Sequence, residues 1–178
     1  MTTYTRTGSL IAMMLLGCVA SLGAEEEVGL VGSIESIPQV SPLQIKVKTR
    51  DGSRLVQCAE ETVVVRGKQK VNRDELKRNR HVIVSGRANG DIVLASKMEL
   101  VDVTEGKIDA IMEVFPLRLA VMTKKGNVHV QLEKETRVMR GKTKIDPGQL
   151  RNGDSVRVFG DSSGQLFVAK EIDVEASK

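Results

Sequence analysis

Thr62–Lys70 reads TVVVRGKQK, and 74 positions later Thr136–Lys144 reads TRVMRGKTK. Both copies keep Thr, Val, Arg, Gly, Lys and Lys in the same places. The same offset sets Gly32 on Gly106, Pro42 on Pro116, Gly52 on Gly126, Leu76 on Leu150, Gly86 on Gly160, Gly90 on Gly164 and Ala95 on Ala169, with no gap. Self-similarity at one fixed spacing marks two copies of a single folding unit.

Working outward from that stretch, each copy reads as five strands. Ile34 and Ile37, like Ile108 and Ile111, stand three apart. Strand side chains alternate with period two, so this spacing predicts a bend or bulge in the first strand. Leu43, Ile45, Val47 and Thr49 alternate with Gln44, Lys46, Lys48 and Arg50, the pattern of a half-buried second strand. Asp51-Gly52 and Lys125-Gly126-Asn127 turn the chain into a third strand carrying Val56 and Cys58, or Val130 and Leu132. After the repeated stretch, Asn72 with Glu75 and Asp146 with Gln149 place a capping residue three before Glu or Gln, and Pro147 occupies a first helical position. Leu76 and Leu150 anchor this short helix. Gly153 supplies its left-handed stop, with Arg80 read as the first copy's counterpart. Val82 and Val84 (Val156 and Val158) open a fourth strand, and Asn89-Gly90 and Ser163-Gly164 turn into the fifth.

Strand, strand, strand, helix, strand, strand is the order of an OB-fold. A flat sheet would leave two edges open, which favours closure over the alternatives of a small sandwich or an SH3-like barrel. The expected fold class is therefore all-β: two tandem five-stranded OB-like barrels, each with a short helix between strands three and four. The expected divisions are a signal peptide over 1–24, repeat 1 over 25–102 and repeat 2 over 103–178, with Asp102–Glu105 as the linker.

The pattern G-x-I, T-x-V before a glycine, a lone Leu, V-x-V-x-G and a late Ala is carried by Gly32, Ile34, Thr62, Gly67, Leu76, Val82, Val84, Gly86 and Ala95, and again in the second copy. It resembles a bacterial family known as domain of unknown function 5666. The resemblance implies an exported or lipid-anchored protein, often with tandem domains and an OB-like fold. The matching residues are turn glycines and core positions, so it implies no catalytic residue.

The leader has its own logic. MTTYTRT carries one positive charge, and the apolar run SLIAMMLLGCVA is too short to span a bilayer as a helix. Export to a periplasmic or envelope location is expected. Leu15-Leu16-Gly17-Cys18 resembles a lipobox, which makes Cys18 the candidate for lipidation; cleavage near Ser21–Ala24 is the competing reading. Cys58 then lacks an intramolecular partner, and its counterpart Leu132 marks it as a buried hydrophobe. Formal net charge is +4, spread evenly, and demands no polyanionic partner.

No catalytic or metal constellation is written in both copies, and no cofactor is expected. The two histidines, His81 and His129, correspond to Ser155 and Leu55. The outward residues of strands two and three (Gln44, Lys46, Lys48, Leu55, Gln57; Arg118, Ala120, Met122, His129, Gln131) hold no aromatic platform for a nucleic acid. The candidates that remain are Arg66, Lys68 and Lys70 with Arg140, Lys142 and Lys144. Three cations within five residues beside a helix start suit a weak anion site, whereas solvated turns neutralised by Glu61 and Glu135 are the plainer account. Phe159 and Phe167, read by parity as lying outside the second barrel, suit either packing on the first barrel or a partner patch. The expected function is a non-catalytic exported envelope binding or adaptor protein. Its partner would be an envelope protein or anionic polymer, and its only membrane contact a lipid anchor. The alternatives are a structural assembly protein and an OB-type nucleic-acid binder, with oligomeric state left open.

Overall fold

The computed structural model describes residues 27–164 and 166–175. Cys18 and the leader lie outside the described residues. The strands are β1 (Glu27–Ser36), β2 (Leu43–Thr49), β3 (Gly52–Arg66), β4 (Gln69–Lys70), β5 (His81–Asn89), β6 (Ile92–Met112), β7 (Arg118–Thr123), β8 (Gly126–Arg140), β9 (Thr143–Ile145), β10 (Ser155–Ser163) and β11 (Leu166–Val174).

In the first repeat β1 pairs antiparallel with both β2 and β5, β2 with β3, and β5 with β6, while β3 runs parallel to β6. The second repeat copies this: β6 pairs antiparallel with β7 and β10, β7 with β8, and β10 with β11, while β11 runs parallel to β8. Each long strand thus has a neighbour on both sides, which leaves no long exposed edge. One apolar cluster fills each repeat, around Ile34, Ile45, Val84 and Met98 in the first and Ile108, Leu119, Val158 and Ile172 in the second.

Two separate five-stranded OB-like barrels, each with a helix, are not what forms. All eleven strands belong to one hydrogen-bonded sheet that winds, solenoid-like, through both repeats. The expected linker Asp102–Glu105 is the middle of β6. Its backbone is taken up by β10, with Gly160 opposite Asp102, Phe159 opposite Val103, Val158 opposite Thr104 and Arg157 opposite Glu105. Pairing with β10 runs unbroken from Gly160 to Arg157 across these residues, so the strand does not stop there. There is no α-helix among the described residues. Arg73–Glu75 and Pro147–Gln149 are single 3-10 turns, capped by Asn72 and by a complete Asp146/Gln149 capping box. Leu76 and Leu150 just beyond them are the only buried anchors, too little apolar surface to hold a longer helix against the sheet. Chain reversal after the first turn uses Asn79 at φ 67°, not Arg80, and Gly153 at φ 89° after the second.

The expected bend in the first strand is present as a register shift between Ile34 and Ser36, and again between Ile108 and Ala110. Another break falls in β3 opposite β6, between Cys58 and Val63. There the buried Thr62 hydroxyl donates to the Ala95 carbonyl at 2.6 Å, and Thr136 repeats this to Ala169 at 2.7 Å. These bonds explain why both copies keep Thr at the head of the repeated stretch: its hydroxyl satisfies a carbonyl where the ladder skips.

Candidate functional site: two basic turns and the seam between repeats

The two RGKxK segments are hairpin turns. Arg66 pairs with Gln69 and Arg140 with Thr143, so Gly67-Lys68 and Gly141-Lys142 are two-residue loops. Gly67 at φ 58° and Gly141 at φ 61° take the left-handed region that such a loop needs at its first central residue. Val64 and Val138 are buried in the cores below, and the turn sends the lysines outward.

The six cations divide into two kinds. Arg66 reaches Glu75 at 3.2 Å, and Arg140 reaches Asp154 at 3.1 Å, so Glu75 and Asp154 are the neutralising acids instead of Glu61 and Glu135. Lys142 lies 3.7 Å from Asp51 on the other repeat. Lys68, Lys70 and Lys144 are exposed, with no ion pair among the described residues. The expected helix start contributes nothing to this site. The Asp74 amide donates to Asn72 at 3.2 Å and the Gly148 amide to Asp146 at 2.7 Å, so the caps already occupy the N–H groups that an anion would use.

Between the repeats lies a charged seam. The Lys170 ammonium bonds Glu99 of the first repeat and sits 3.1 Å from Asp161. Burial alone would lower the Lys170 pKa, but its hydrogen bonds to Glu99 and Asp161 outweigh burial and raise it. Arg50 bonds Asp173 at 2.8 Å, and Arg137 bonds the buried Glu171 at 2.7 Å. Burial pushes both Glu171 and Asp173 up despite these arginines. Next to the seam, a cleft of ≈ 700 Å³ is lined by Glu27, Gly29, Glu61, Leu94, Ser96 and Arg137, among others. No group of three or more His, Cys, Asp or Glu side chains suited to a metal ion occurs among the described residues. No helix of the described residues is long and apolar enough to cross a membrane.

Neither Phe159 nor Phe167 forms a surface patch, because both are buried. Phe167 packs inside the second core, the reverse of the parity expectation. Ala95 and Ala169, preserved in both copies and two residues after Val93 and Phe167, carried the signal that would have placed it correctly. Phe159 does face the first repeat, where its ring meets that of His81 edge-on at 6.1 Å. Burial and the Arg157 charge hold the His81 imidazole below its ordinary value, against Glu105 and Asp102. A depressed histidine binds protons more readily once unfolded, so folding loses stability as pH falls from about 6.5 toward the folded value. His81→Gln is expected to flatten this part of a denaturation-versus-pH curve. An unchanged slope in the variant would assign it to other groups.

Residues left out of the sequence reading include Lys170 and Glu99, whose counterparts are Ser96 and Asp173; the unlike pair could have flagged Lys170, and the acid kept in both copies Glu99. Cys58 is buried as expected, its thiol raised by burial and 3.4 Å from the Met98 sulfur.

The second repeat, with its basic turn, its 3-10 turn and its late alanine, is also where comparison with known families finds a match. Residues 105–173 match the domain of unknown function DUF5666. The DUF5666 match starts within β6 and ends within β11, so it takes in the Gly141 turn, Phe159, Phe167 and Lys170. No curated protein matches the chain. Among solved structures it is similar to a tRNA fluorescent labeling enzyme, at 12% identity and TM-score 0.32, covering 71% of this chain and 30% of that one. A murine DNA binding protein bound with double-stranded DNA is similar at 12% identity and TM-score 0.25, covering 84% and 94%. The chain thus spans under a third of the labeling enzyme's length.

Proposed function

We propose that the protein is a non-catalytic, exported envelope binding or adaptor protein built from two tandem DUF5666 copies, which hold an anionic envelope polymer or headgroup on their paired basic turns. The observation that carries this reading is the twice-written Gly-Lys turn. Each turn aims lysines at solvent while the arginine beside it is neutralised within its own repeat. Two tethered weak sites gain avidity on a polyanionic surface without any new contact. A periplasmic or envelope location, with residues 1–24 as signal peptide and Cys18 as lipid anchor, completes the proposal. It rests on the apolar leader and its LLGC ending. The structural reading, in which the turns only help pack the repeats, draws support from the Lys142–Asp51 contact and from Gly67, where a Cβ would stand 3.6 Å from Asp161 of the second repeat.

Replacing Lys68, Lys70, Lys142 and Lys144 together by Gln is expected to weaken retention on anionic vesicles or envelope polymer at low salt by tenfold or more. That follows from roughly 1 kcal/mol per lysine near a charged surface. Unchanged retention by a folded variant would leave the turns with a packing role only.

A further inference from the structure

The loop joining β6 to β7 carries Phe115, which is fully exposed, beside the exposed Val114. The first repeat has Ser41 where Phe115 stands, so the ring is not required by the fold of the unit. Adjoining this loop is a concavity of ≈ 600 Å³ lined by Ile111, Glu113, Leu117, Pro147, Leu150 and Arg151, among others. Leu150 is buried, and Ile111 and Leu117 pack partly buried on the second core, so its floor is apolar. Its wall brings together an acid and a base, Glu113 and Arg151, whose side chains are exposed and form no ion pair with any described residue.

We propose that this face is a two-fold interface through which two copies of the chain pair, Phe115 of each seating in the other's concavity. In an isologous contact whatever one copy offers the other returns. Glu113 of each copy would then meet Arg151 of the other, and two knobs would fill two hollows. The site has the right scale: an apolar cavity of about 150 Å³ already holds a benzene ring. Charge selects a second copy over a lipid surface. Inserting Phe115 into a bilayer would carry the unpaired Glu113 and Arg151 toward hydrocarbon, whereas the two-fold gives each of them an opposite charge.

Sedimentation equilibrium of residues 27–178, from micromolar to millimolar concentration, tests this directly. A monomer–dimer equilibrium is expected, with Phe115→Ser raising its dissociation constant on the order of a hundredfold, since two aromatic rings lose their burial. Glu113→Arg should also weaken pairing, and Glu113→Arg with Arg151→Glu should restore it. The substituted residues are solvent-exposed, and an unchanged thermal melt verifies that each variant is folded. A monomer throughout the range, or a dimer indifferent to Phe115→Ser, overturns the proposal. A monomer that instead binds neutral phosphatidylcholine vesicles through Phe115 overturns it in favour of lipid. The lysine variants of the basic turns do not enter this experiment, so its failure is separate from theirs.

Discussion

Gly86→Ala is expected to cost about 3 kcal/mol of stability or more, the upper range for overpacking a site that cannot yield. An added Cβ would overlap the Leu94 carbonyl and crowd the Ala95 Cα at 2.9 Å, and these atoms belong to the backbone of β6. No rotamer change relieves such a clash; the two strands must separate. Gly86 lies at the register shift in the β5–β6 ladder, and Gly160 lies at the matching shift between β10 and β11, where a Cβ would overlap the Val168 carbonyl. Gly160→Ala should therefore behave alike. Gly52→Ala is the comparison: open space surrounds it and only its φ of 122° resists a side chain, which predicts a loss nearer 1–2 kcal/mol. Urea unfolding of the three variants checks the order. Gly86→Ala no worse than Gly52→Ala would mean that the strands part easily.

The second large effect belongs to Lys170→Met. Glu99 is buried, and without Lys170 its remaining partner is the more exposed Lys97 at 3.4 Å. Removing one partner of a buried pair leaves a charge uncompensated, at a cost of about 2–3 kcal/mol here given that residual contact. Lys170→Met with Glu99→Met should recover much of it, because the buried Glu99 carboxylate no longer stands uncompensated; the more exposed Asp161 still loses its lysine. The pair also has a pH signature. Lys170 is raised when folded, so its contribution is complete below the ordinary lysine value of 10.5 and fades as pH climbs through the higher folded value. A double variant as unstable as the single one would move the loss from charge to shape.

The residues that told the truth in sequence were those whose role is local. Ile34 with Ile37, the Asn72 and Asp146 caps, the Gly67 and Gly141 turns and the Leu76 and Leu150 anchors each act within a few positions. Their spacing alone fixed what they do. What failed depended on partners distant in the chain. Asp102–Glu105 looks like a linker because its polar side chains say nothing of the β10 backbone waiting beside it. Phe167 was assigned the wrong face because register shifts, between Phe159 and Gly160 and between Ala169 and Glu171, reset the alternation that parity counting assumes. The basic turns were legible as turns, but the acids that neutralise Arg66 and Arg140 were not. Glu75 approaches from the 3-10 turn that follows and Asp154 from the turn just before β10, in place of the adjacent Glu61 and Glu135.

Strand β6 belongs to both repeats, and this governs how they could act together. Its 21 residues, at about 3.3 Å each, make a bent beam with a contour of roughly 70 Å and hydrogen-bonded neighbours along most of its length, turning at its register shifts against β5 and β7. A flexible tether would let two weak sites search for a match and settle on many spacings. A beam works as a caliper: its jaws are set when the chain folds. On the proposed function, an anionic chain whose charges recur at the caliper's spacing would gain from both turns and one with a different repeat from only one, so selectivity would reside in distance, with no side chain reading the ligand's identity.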